Sequence, residues 1–502
     1  MGWLSALSCL SSFPIRELSR FRFAELVRLI DMNPRNFIRR LVPLSNWTFH
    51  RRVNSLDRKI TELSDSVQDT NRELDVALRQ YRELTSSAIA SNKAYYLVCE
   101  PGYPNYGDEL IVGEWLKYLA AKHPDVPVYV DCSRPGPASA ILRHIHPHLQ
   151  VVDTLSRLVH ENSFADVEQI ADIDIMGVSK FVNDALEHDG VAARYTAGIE
   201  ILRNEVRSVH FLGGGYMNSM WPLHLARLSL AQWCRNHGIP VIATGLGLMP
   251  LQDDALRFAR AQGASFTRFT VRDEETYHAL TGSQTSQIGS KAANDTDALA
   301  SSNLEALRRS VDFKPTIGLG PDDSFVNALS DCYADPNGLP DTMVCIQSDL
   351  VEDPERLYRH VLDVLKSWGV TRDRPIGVVE CMPYVDYPIV TALQSEGYRV
   401  AFFPLDNLLR RGLPARPGQR WLTTRFHPHL LAAAKGCSGS FISVSEEYYG
   451  VKHHAVLRMG SRWTNSIIGA PAGAPGPGFA DVHAPERYSR QIRQAASGVY
   501  GG

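Results

Sequence analysis

The chain has 502 residues, which is long enough for two or three domains. Its hydrophobic content of 44% and charged content of 21% are ordinary for a globular protein, and its net charge of -3 gives no electrostatic reason to expect nucleic acid as a partner. None of the eight cysteines forms a CxxC pair, which argues against a disulfide framework or a zinc site and favours a reducing cytoplasm.

The N-terminal arm, residues 1–52, is basic and amphipathic, with arginines interleaved among apolar residues such as Phe21, Phe23 and Leu26. Such a segment suits an anionic membrane surface, and it equally suits a helix docked on its own protein or a partly disordered arm. The arm has no signal-peptide pattern, and no stretch reaches the ~20 apolar residues of a membrane helix. We therefore expect a cytoplasmic protein, and the arm leaves peripheral contact at the inner face of the membrane open as an alternative.

Residues 53–92 are predicted to form a coiled-coil helix. Mainly apolar residues occupy the a and d positions of five consecutive heptads, beginning with Val53, Leu56 and Ile60, with Thr70 at one d position. The pattern favours a stalk that joins copies of the chain into a homo-oligomer. One long helix packed on its own chain is the alternative, and the mixed a positions do not fix the number of strands.

From residue 93 the pattern changes to alternating strands and helices. A first set of strands is predicted at 94–99, 126–130, 208–212, 240–244 and 269–271, and a second set begins near Met343. This alternation predicts parallel sheets covered by helices on both faces. The predicted fold class is therefore α/β with two Rossmann-like domains, at residues 93–335 and 336–467. A Gly/Pro linker and a C-terminal helix follow at 468–502.

Five short segments place Gly, an acid, Arg or His directly after a predicted strand: 102–111, 211–215, 243–247, 271–273 and 425–427. Open α/β sheets bind ligands at the carboxyl ends of their strands. Arg272 and Arg425 suit a small, doubly charged anion, because a guanidinium group can bind phosphate or carboxylate through two hydrogen bonds. A surface ion pair with the neighbouring acids is the alternative for Arg272.

The other side chains in these segments also allow two interpretations. Asn105 and Asp108 precede or begin a predicted helix, whose N–H groups can bind an anion, although Asp108 also suits an N-cap. His427 can exchange a proton near neutral pH, whereas a lone histidine more often has a structural role. The glycines allow close approach to a ligand or serve as packing turns, and their spacing is not GxGxxG; they are Gly213, Gly214, Gly215, Gly245 and Gly247.

Taken together and in order, segments 105–108, 213–215, 245–247, 271–273, 425–427 and 443–452 resemble the polysaccharide pyruvyl transferase family. The resemblance covers roughly residues 94–465 and implies a fold like that of the two-domain (GT-B) glycosyltransferases. It implies transfer of the enolpyruvyl unit of phosphoenolpyruvate to two sugar hydroxyls, leaving a pyruvate ketal and free phosphate. The implied partners are phosphoenolpyruvate and a glycan or glycolipid acceptor of the cell envelope, with no cofactor and no metal.

By this resemblance, His427 handles the proton, while Arg272 and Arg425 bind the donor from the two domains. Substrate contacts are expected from nine further residues: Asn105, Asp108, Gly213, Gly214, Gly215, Gly245, Gly247, Phe426 and Lys452. The sequence departs from the family pattern where an Asp segment is expected after residue 273. Asp295 and Asp322 begin the two candidates, and the second is preferred because 316–319 reads as a strand; neither receives a site role.

Two other functions fit the same sequence. A nucleotide-sugar-dependent GT-B glycosyltransferase needs a contact to a ribose, which Glu446 or Glu447 can supply. A catalytically inactive coiled-coil scaffold is the second, and the presence of both Arg272 and His427 argues against it.

Overall fold

A computed structural model of the chain describes residues 55–64, 66–67, 70, 93–161, 173–282 and 316–500. The predicted basic arm, most of the predicted coiled coil and the Asp295 segment lie outside these residues, so the membrane contact and the coiled coil stay predictions. Within the described part of the chain, no helix is both long and apolar enough to cross a membrane.

The chain divides into two units, Met1–Ser87 and Ala88–Gly502. In the first unit, residues 55–64 are helical. Three of the predicted heptad side chains on this helix, Leu56, Ile60 and Leu63, are between 48% and 66% exposed.

The second unit contains two parallel sheets. In the described residues, the first sheet has seven strands in the order β3-β2-β1-β4-β5-β6-β7. Its strands are β1 (Ala94–Val98), β2 (Val128–Asp131), β3 (Leu149–Val152), β4 (Val206–Phe211), β5 (Val241–Leu246), β6 (Arg268–Val271) and β7 (Thr316–Leu319). The helices between them are α1 (Tyr106–Lys122), α2 (Pro135–Leu142), α3 (Thr154–Glu161), α4 (Ile175–Glu187), α5 (Thr196–Glu200), α6 (Pro222–Ala226), α7 (Leu230–Asn236), α8 (Asp253–Gly263) and α9 (Glu274–Thr281).

The second sheet has six strands in the described residues, in the order β10-β9-β8-β11-β12-β13. They are β8 (Thr342–Cys345), β9 (Ile376–Val379), β10 (Val400–Phe403), β11 (Arg420–Thr423), β12 (Ser438–Phe441) and β13 (Thr464–Asn465). The accompanying helices are α10 (Pro354–Ser367), α11 (Pro388–Ser395), α12 (Leu405–Arg411), α13 (Phe426–Ala434) and α14 (Val451–Met459). A final helix, α15 (Ala484–Tyr500), ends the described chain.

Both sheets have the same doubly wound topology. If the strands of each sheet are numbered in chain order from its own first strand, the spatial order is 3-2-1-4-5-6 in both sheets. The first sheet has β7 as an additional strand at one edge, and every pairing between the named strands is parallel. This is the order of Rossmann-like folds. The central strand β1 is buried along its whole length, as strands covered on both faces must be. The predicted fold class of two Rossmann-like α/β sheets is therefore confirmed.

Helix α15 returns from the second sheet to the first. Its Tyr500 hydroxyl lies 2.7 Å from His210 Nδ1 on β4, and the Ser489 hydroxyl donates to the Val326 carbonyl at 2.7 Å. The segment that connects β13 to α15 was predicted as a Gly/Pro linker. It pairs with β12 through a bridge between Gly476 and Gly439.

Two boundaries differ from the predicted ones in ways that affect the site. Helix α1 begins at Tyr106 rather than Glu109, because Asn105 is its N-cap and accepts a hydrogen bond from the Gly107 N–H. The N-cap alternative for Asp108 is therefore wrong. Strand β5 continues through Gly245 to Leu246, because Leu246 bridges to Gly214 and pairs with Val271.

Candidate functional site

A cavity of about 480 Å³ lies at the carboxyl ends of the two sheets. Parallel strands place the loops that follow them at one edge, so residues distant in sequence meet there. Eight of the twelve predicted site residues line this cavity: Asn105, Asp108, Gly215, Arg272, Arg425, Phe426, His427 and Lys452. The first four follow strands of the first sheet and the last four follow strands of the second, so both sheets contribute to the cavity.

Arg272 is a buried cation at the end of β6, only 2% exposed. Its Nη1 donates to Asp322 Oδ2 at 2.7 Å, and its guanidinium carbon lies 4.2 Å from the centre of the Phe426 ring. The surface ion pair considered from the sequence does not form. Asp273, the nearest of its proposed partners, instead caps α9 by accepting the Thr276 N–H at 2.7 Å.

Arg425 is more heavily neutralised than Arg272. Its Nε and Nη2 donate to Asp386 Oδ1 at 3.0 and 2.6 Å, and Nη2 also donates to Asp349 Oδ1 at 3.0 Å. The third nitrogen, Nη1, lies 3.3 Å from the Tyr449 hydroxyl. The two carboxylates fix the orientation of this guanidinium group and leave Nη1 as the donor with no anionic partner.

His427 lies at the junction of the two halves of the cavity. Its Nε2 is 3.5 Å from Asp322 Oδ1 and makes no hydrogen bond within the described structure. A side chain at Gly107 would overlap the His427 ring, so this glycine allows the ring to pack against the start of α1. Burial lowers the pKa of His427, although Asp322 opposes the shift, while Arg272 and Lys452 add to it. The free site therefore favours a neutral imidazole.

Asp322 links the two halves through its carboxylate. It is fully buried and contacts both Arg272 and His427. Burial alone would raise its pKa, but His427, Arg272 and Ser324 together hold the pKa of Asp322 below its usual range. Asp322 is therefore ionised near neutral pH and compensates part of the charge of Arg272.

Lys452 and Asp108 form a second polar group. Asp108 accepts a hydrogen bond from Asn105 Nδ2 at 2.7 Å, and burial raises its pKa to about 7 despite the opposing charge of Lys452. The Lys452 ammonium group lies 3.5 Å from the centre of the Tyr448 ring. Burial, followed by the charge of Arg272, holds the pKa of Lys452 well below its usual value. This part of the cavity therefore has too little negative charge to balance its cations.

Of the five predicted glycines, Gly215 is the one that lines the described cavity. A Cβ atom there would lie 3.0 Å from both Arg272 Nη2 and Lys452 Nζ, so Gly215 keeps the space between the two cations open. Gly214 and Gly247 lie behind it, joined by a backbone hydrogen bond of 2.8 Å.

Gly213 and Gly245 contact a buried carboxylate instead of the cavity. The Gly213 N–H donates to Asp323 Oδ2 at 2.9 Å, and a Cβ on Gly245 would lie 2.9 Å from Asp323 Oδ1. Asp323 also accepts from Thr244 Oγ1 at 2.6 Å and from Trp115 Nε1 at 2.9 Å. These two glycines therefore support the strands beneath the site.

Several residues in or beside the cavity have no place among the predicted site residues. Asp322, beside the cavity, was one of two candidate segments, and its position after β7 places it at the same sheet edge as Arg272. Tyr103, Tyr448 and Tyr449 line the cavity and belong to segments 102–111 and 443–452, but no site role was expected of them. Other lining residues approach from separate loops and share no sequence signal, among them Glu100, Ser133, Arg134, Trp221, His224 and Asp349. Glu446 and Glu447 are exposed and do not line the described cavity.

The family model for polysaccharide pyruvyl transferase matches residues 105–287. Two similar solved structures are UDP-N-acetylglucosamine 2-epimerases. The putative enzyme from Listeria monocytogenes has a TM-score of 0.42 and 11% identity, with 80% of this chain and 96% of that chain covered. The enzyme from Neisseria meningitidis, bound to UDP-GlcNAc, has a TM-score of 0.40 and 10% identity, with 80% and 93% covered.

A sequence comparison with curated proteins gave no match. The family match includes Asn105, Asp108, Gly215 and Arg272, whereas Arg425, Phe426, His427 and Lys452 lie beyond it. The resemblance drawn from the order of the motifs is thus confirmed over residues 105–287, where this chain matches the polysaccharide pyruvyl transferase family.

Proposed function

We propose that this chain transfers the enolpyruvyl unit of phosphoenolpyruvate to two hydroxyls of one sugar in a glycan or glycolipid. The observation that carries the proposal is the convergence of Arg272, Lys452 and His427 on one cavity between two Rossmann-like sheets. The family match over residues 105–287 supports it independently.

The donor is suggested by the charge of the cavity. Phosphoenolpyruvate carries a phosphate and a carboxylate on one small unit, so it needs cations on more than one side. Arg272 and Lys452 both face the gap above Gly215, and Arg425 presents Nη1 from the second sheet. Because the pKa of Lys452 is held low by burial and by Arg272, a bound anion would stabilise its ammonium form.

The reaction needs two protons to be moved. A proton adds to the methylene carbon of the donor, which becomes a methyl group and leaves an oxocarbenium-like centre at the neighbouring carbon. One sugar hydroxyl attacks that centre and loses its proton. The bond between the same carbon and the phosphate oxygen then breaks, and the second hydroxyl attacks this carbon to close the ketal. Of the two protons lost by the hydroxyls, one balances the methyl group and the other leaves on the phosphate.

We assign the donor proton to His427. Its Nε2 makes no hydrogen bond within the described structure. Phosphoenolpyruvate bound beside it, as an anion, would raise the pKa of His427 and favour the imidazolium form. Asp322 would then balance and orient that imidazolium group from 3.5 Å. A well-placed acid of this kind contributes a rate factor of about 10²–10⁴.

The test is phosphate release from phosphoenolpyruvate across a panel of glycan acceptors, with donor binding followed by calorimetry. Lys452→Met should weaken donor binding about 10–100-fold, which is the effect of losing one charged hydrogen bond. Lys435→Met is the matched control, because its ammonium group also lies over a tyrosine ring, 4.3 Å from Tyr333, but outside the cavity.

Acceptor-dependent phosphate release that Lys452→Met weakens and Lys435→Met leaves unchanged is the expected result. The opposite result is no donor binding together with binding of a nucleoside diphosphate, which would favour a nucleotide-sugar-dependent transferase. Absence of binding to both ligands would favour a catalytically inactive scaffold.

A further inference from the structure

The part of the cavity nearest β1 and α6 has no role in the donor chemistry described above. Its side chains come from the loops after β1 and β2 and from the start of α6, and they are Glu100, Tyr103, Ser133, Trp221 and His224. We refer to these five residues as the β1–α6 side of the cavity.

Glu100 is a buried carboxylate on this side, 5% exposed. Its Oε2 lies 2.6 Å from Arg227 Nη1, and its Oε1 accepts a hydrogen bond from the Ser133 hydroxyl. Arg227 is fully buried and is held by the Cys99 carbonyl at 3.3 Å and by the Ser156 hydroxyl at 3.1 Å. Burial would raise the pKa of Glu100, but Arg227 and His224 outweigh it and lower the pKa.

His224 faces this carboxylate. Its Nδ1 is 3.5 Å from Glu100 Oε2, is buried, and makes no hydrogen bond within the described structure. Burial lowers the pKa of His224; the Glu100 carboxylate opposes the shift without reversing it, while Arg227 and His160 add to it. Because the buried nitrogen faces Glu100, the second nitrogen, Nε2, is the one available to a ligand. Catalytic hydrogen bonds of this type are often long in free enzymes and shorten when substrate binds.

Aromatic rings border the same space. Trp221 directly precedes α6 and packs edge-on against Tyr448, with ring centres 5.8 Å apart. Tyr103 is 47% exposed, and the Arg134 guanidinium carbon lies 4.4 Å from the centre of its ring. Apolar ring faces combined with a few convergent polar groups are typical of sites that orient a small polar ligand.

We propose that the β1–α6 side of the cavity is the acceptor subsite, that it takes a hexopyranoside with two free neighbouring or 1,3-related hydroxyls, and that His224 accepts the proton of the attacking hydroxyl. The inference rests on the proposed function. Trp221 and Tyr103 contact the sugar ring, and Glu100 is a positioning residue that fixes the tautomer with the proton on Nδ1. This arrangement matches the carboxylate–histidine pairing of hydrolytic triads.

In this step the O–H bond of the sugar breaks and its proton passes to His224 Nε2. The electron pair of that oxygen forms the new bond to the oxocarbenium-like carbon of the donor. His224 then returns to the neutral state by releasing the proton to the departing phosphate or to water. The donor proton from His427 and the acceptor proton on His224 thus move at separate positions.

The first experiment measures acceptor-dependent phosphate release in His224→Gln, with donor binding followed by calorimetry. We expect donor binding within about twofold of the wild type and a loss of turnover of about 10²–10⁴. His237→Gln is the matched control, because His237 Nε2 also lies 3.5 Å from a carboxylate, that of Glu187, outside the cavity. Wild-type turnover in His224→Gln would overturn the role of His224.

The role of Glu100 has a separate readout. If Glu100 acts by supporting the proton on His224, then Glu100→Gln should move the acidic limb of the pH–rate profile to lower pH, because the imidazolium form loses its anionic partner. A purely structural role would lower the rate without moving that limb. An unshifted profile would therefore overturn the positioning role.

The second experiment probes the subsite directly by saturation-transfer NMR with methyl β-galactopyranoside and methyl β-glucopyranoside. Transfer to at least one sugar is expected in the wild type and in His224→Gln, and it should be lost in Trp221→Ala. Absence of transfer in the wild type, or transfer that survives Trp221→Ala, would overturn the acceptor subsite. Failure of donor binding in calorimetry would instead overturn the proposed function, so the two outcomes are distinguishable.

Discussion

At the scale of single residues, the site depends on how its charges compensate one another. Asp322 compensates Arg272 and faces His427, whereas Asp386 and Asp349 compensate Arg425. Each arginine is thus held in place by at least one buried carboxylate. Lys452 has a different environment, in which an aromatic ring and a neighbouring cation surround the ammonium group.

His427→Ala should lower turnover by about 10²–10⁴ without loss of the fold, because it removes the proposed proton donor but leaves the bond between Arg272 and Asp322. His454→Ala is the control, since His454 is exposed on α14. Steady-state phosphate release and a thermal melt of each variant check the prediction. A near-wild-type rate for His427→Ala would exclude the residue from the mechanism.

Asp108 gives a pH-dependent prediction. Its pKa rises from 3.8 to about 7 in the folded chain because of burial, so between these values the folded chain retains a proton that the unfolded chain has lost. The contribution of Asp108 to stability is therefore present below pH 3.8 and is lost as the pH rises to about 7.

Asp108→Asn removes this titration. Between pH 4.5 and 7.5, the melting temperature of the wild type should fall relative to that of Asp108→Asn. Asp363→Asn, at a side chain 72% exposed on α10, is the control and should follow the wild type. Parallel melting curves for the wild type and Asp108→Asn across this range would contradict the assignment.

At the scale of elements, the strand ends were predictable and the contacts between distant loops were not. The apolar runs and the residues after them placed Arg272, Arg425 and His427 at the carboxyl ends of strands, and the structure has them there. Parallel sheets bring such ends together in any doubly wound fold, so the order of motifs carries this information.

The rest of the site depends on three-dimensional packing. Trp221 and His224 are neighbours at the start of α6, but Glu100 follows β1, and no local spacing relates it to them. The sequence also left Asp295 and Asp322 as alternatives, because small and apolar residues follow each of them. Only the pairing of β7 with β6 places Asp322 beside Arg272.

Gly245 in β5 and Gly238, which precedes that strand, illustrate the same limit and allow a matched test. Gly245 and Gly238 both have positive φ values, +54° and +68°, but a Cβ on Gly245 would lie 3.0 Å from the Asp323 nitrogen, whereas a Cβ on Gly238 meets nothing within 4 Å. Backbone strain alone costs about 1 kcal/mol in each case.

Gly238→Ala should therefore lower the free energy of unfolding by about 1 kcal/mol. Gly245→Ala should cost at least about 1 kcal/mol more, because Asp323 must shift away from Gly213 and Thr244. Chemical denaturation of the two variants checks the difference. Equal losses of stability would show that Asp323 yields freely and does not constrain β5.

At the scale of the whole molecule, the first unit and the second are expected to separate association from catalysis. The described cavity is built entirely from residues of the second unit, while Leu56, Ile60 and Leu63 of the first are exposed at heptad positions. Apolar a and d residues of this kind favour a partner helix.

Deletion of residues 1–92 should lower the number of chains per particle, obtained from light scattering, while leaving turnover with a small soluble acceptor within about twofold of the full chain. A matched variant, Leu56→Asp with Leu63→Asp, should lower that number without shortening the chain. An unchanged number of chains per particle in both variants would contradict the coiled-coil prediction. Loss of turnover in the deletion alone would assign residues 1–92 a role in the fold of the second unit.

The return of α15 to the first sheet has a mechanical consequence. The chain passes from the first sheet to the second between β7 and β8, and it passes back between β13 and α15, where Tyr500 and Ser489 attach it to the first sheet. The two sheets are therefore joined by two covalent connections, which together form a hinge. We expect two such connections to allow bending about one axis and to resist twisting of one sheet over the other. Groups carried by different sheets, such as Arg272 and His427, should therefore keep their alignment.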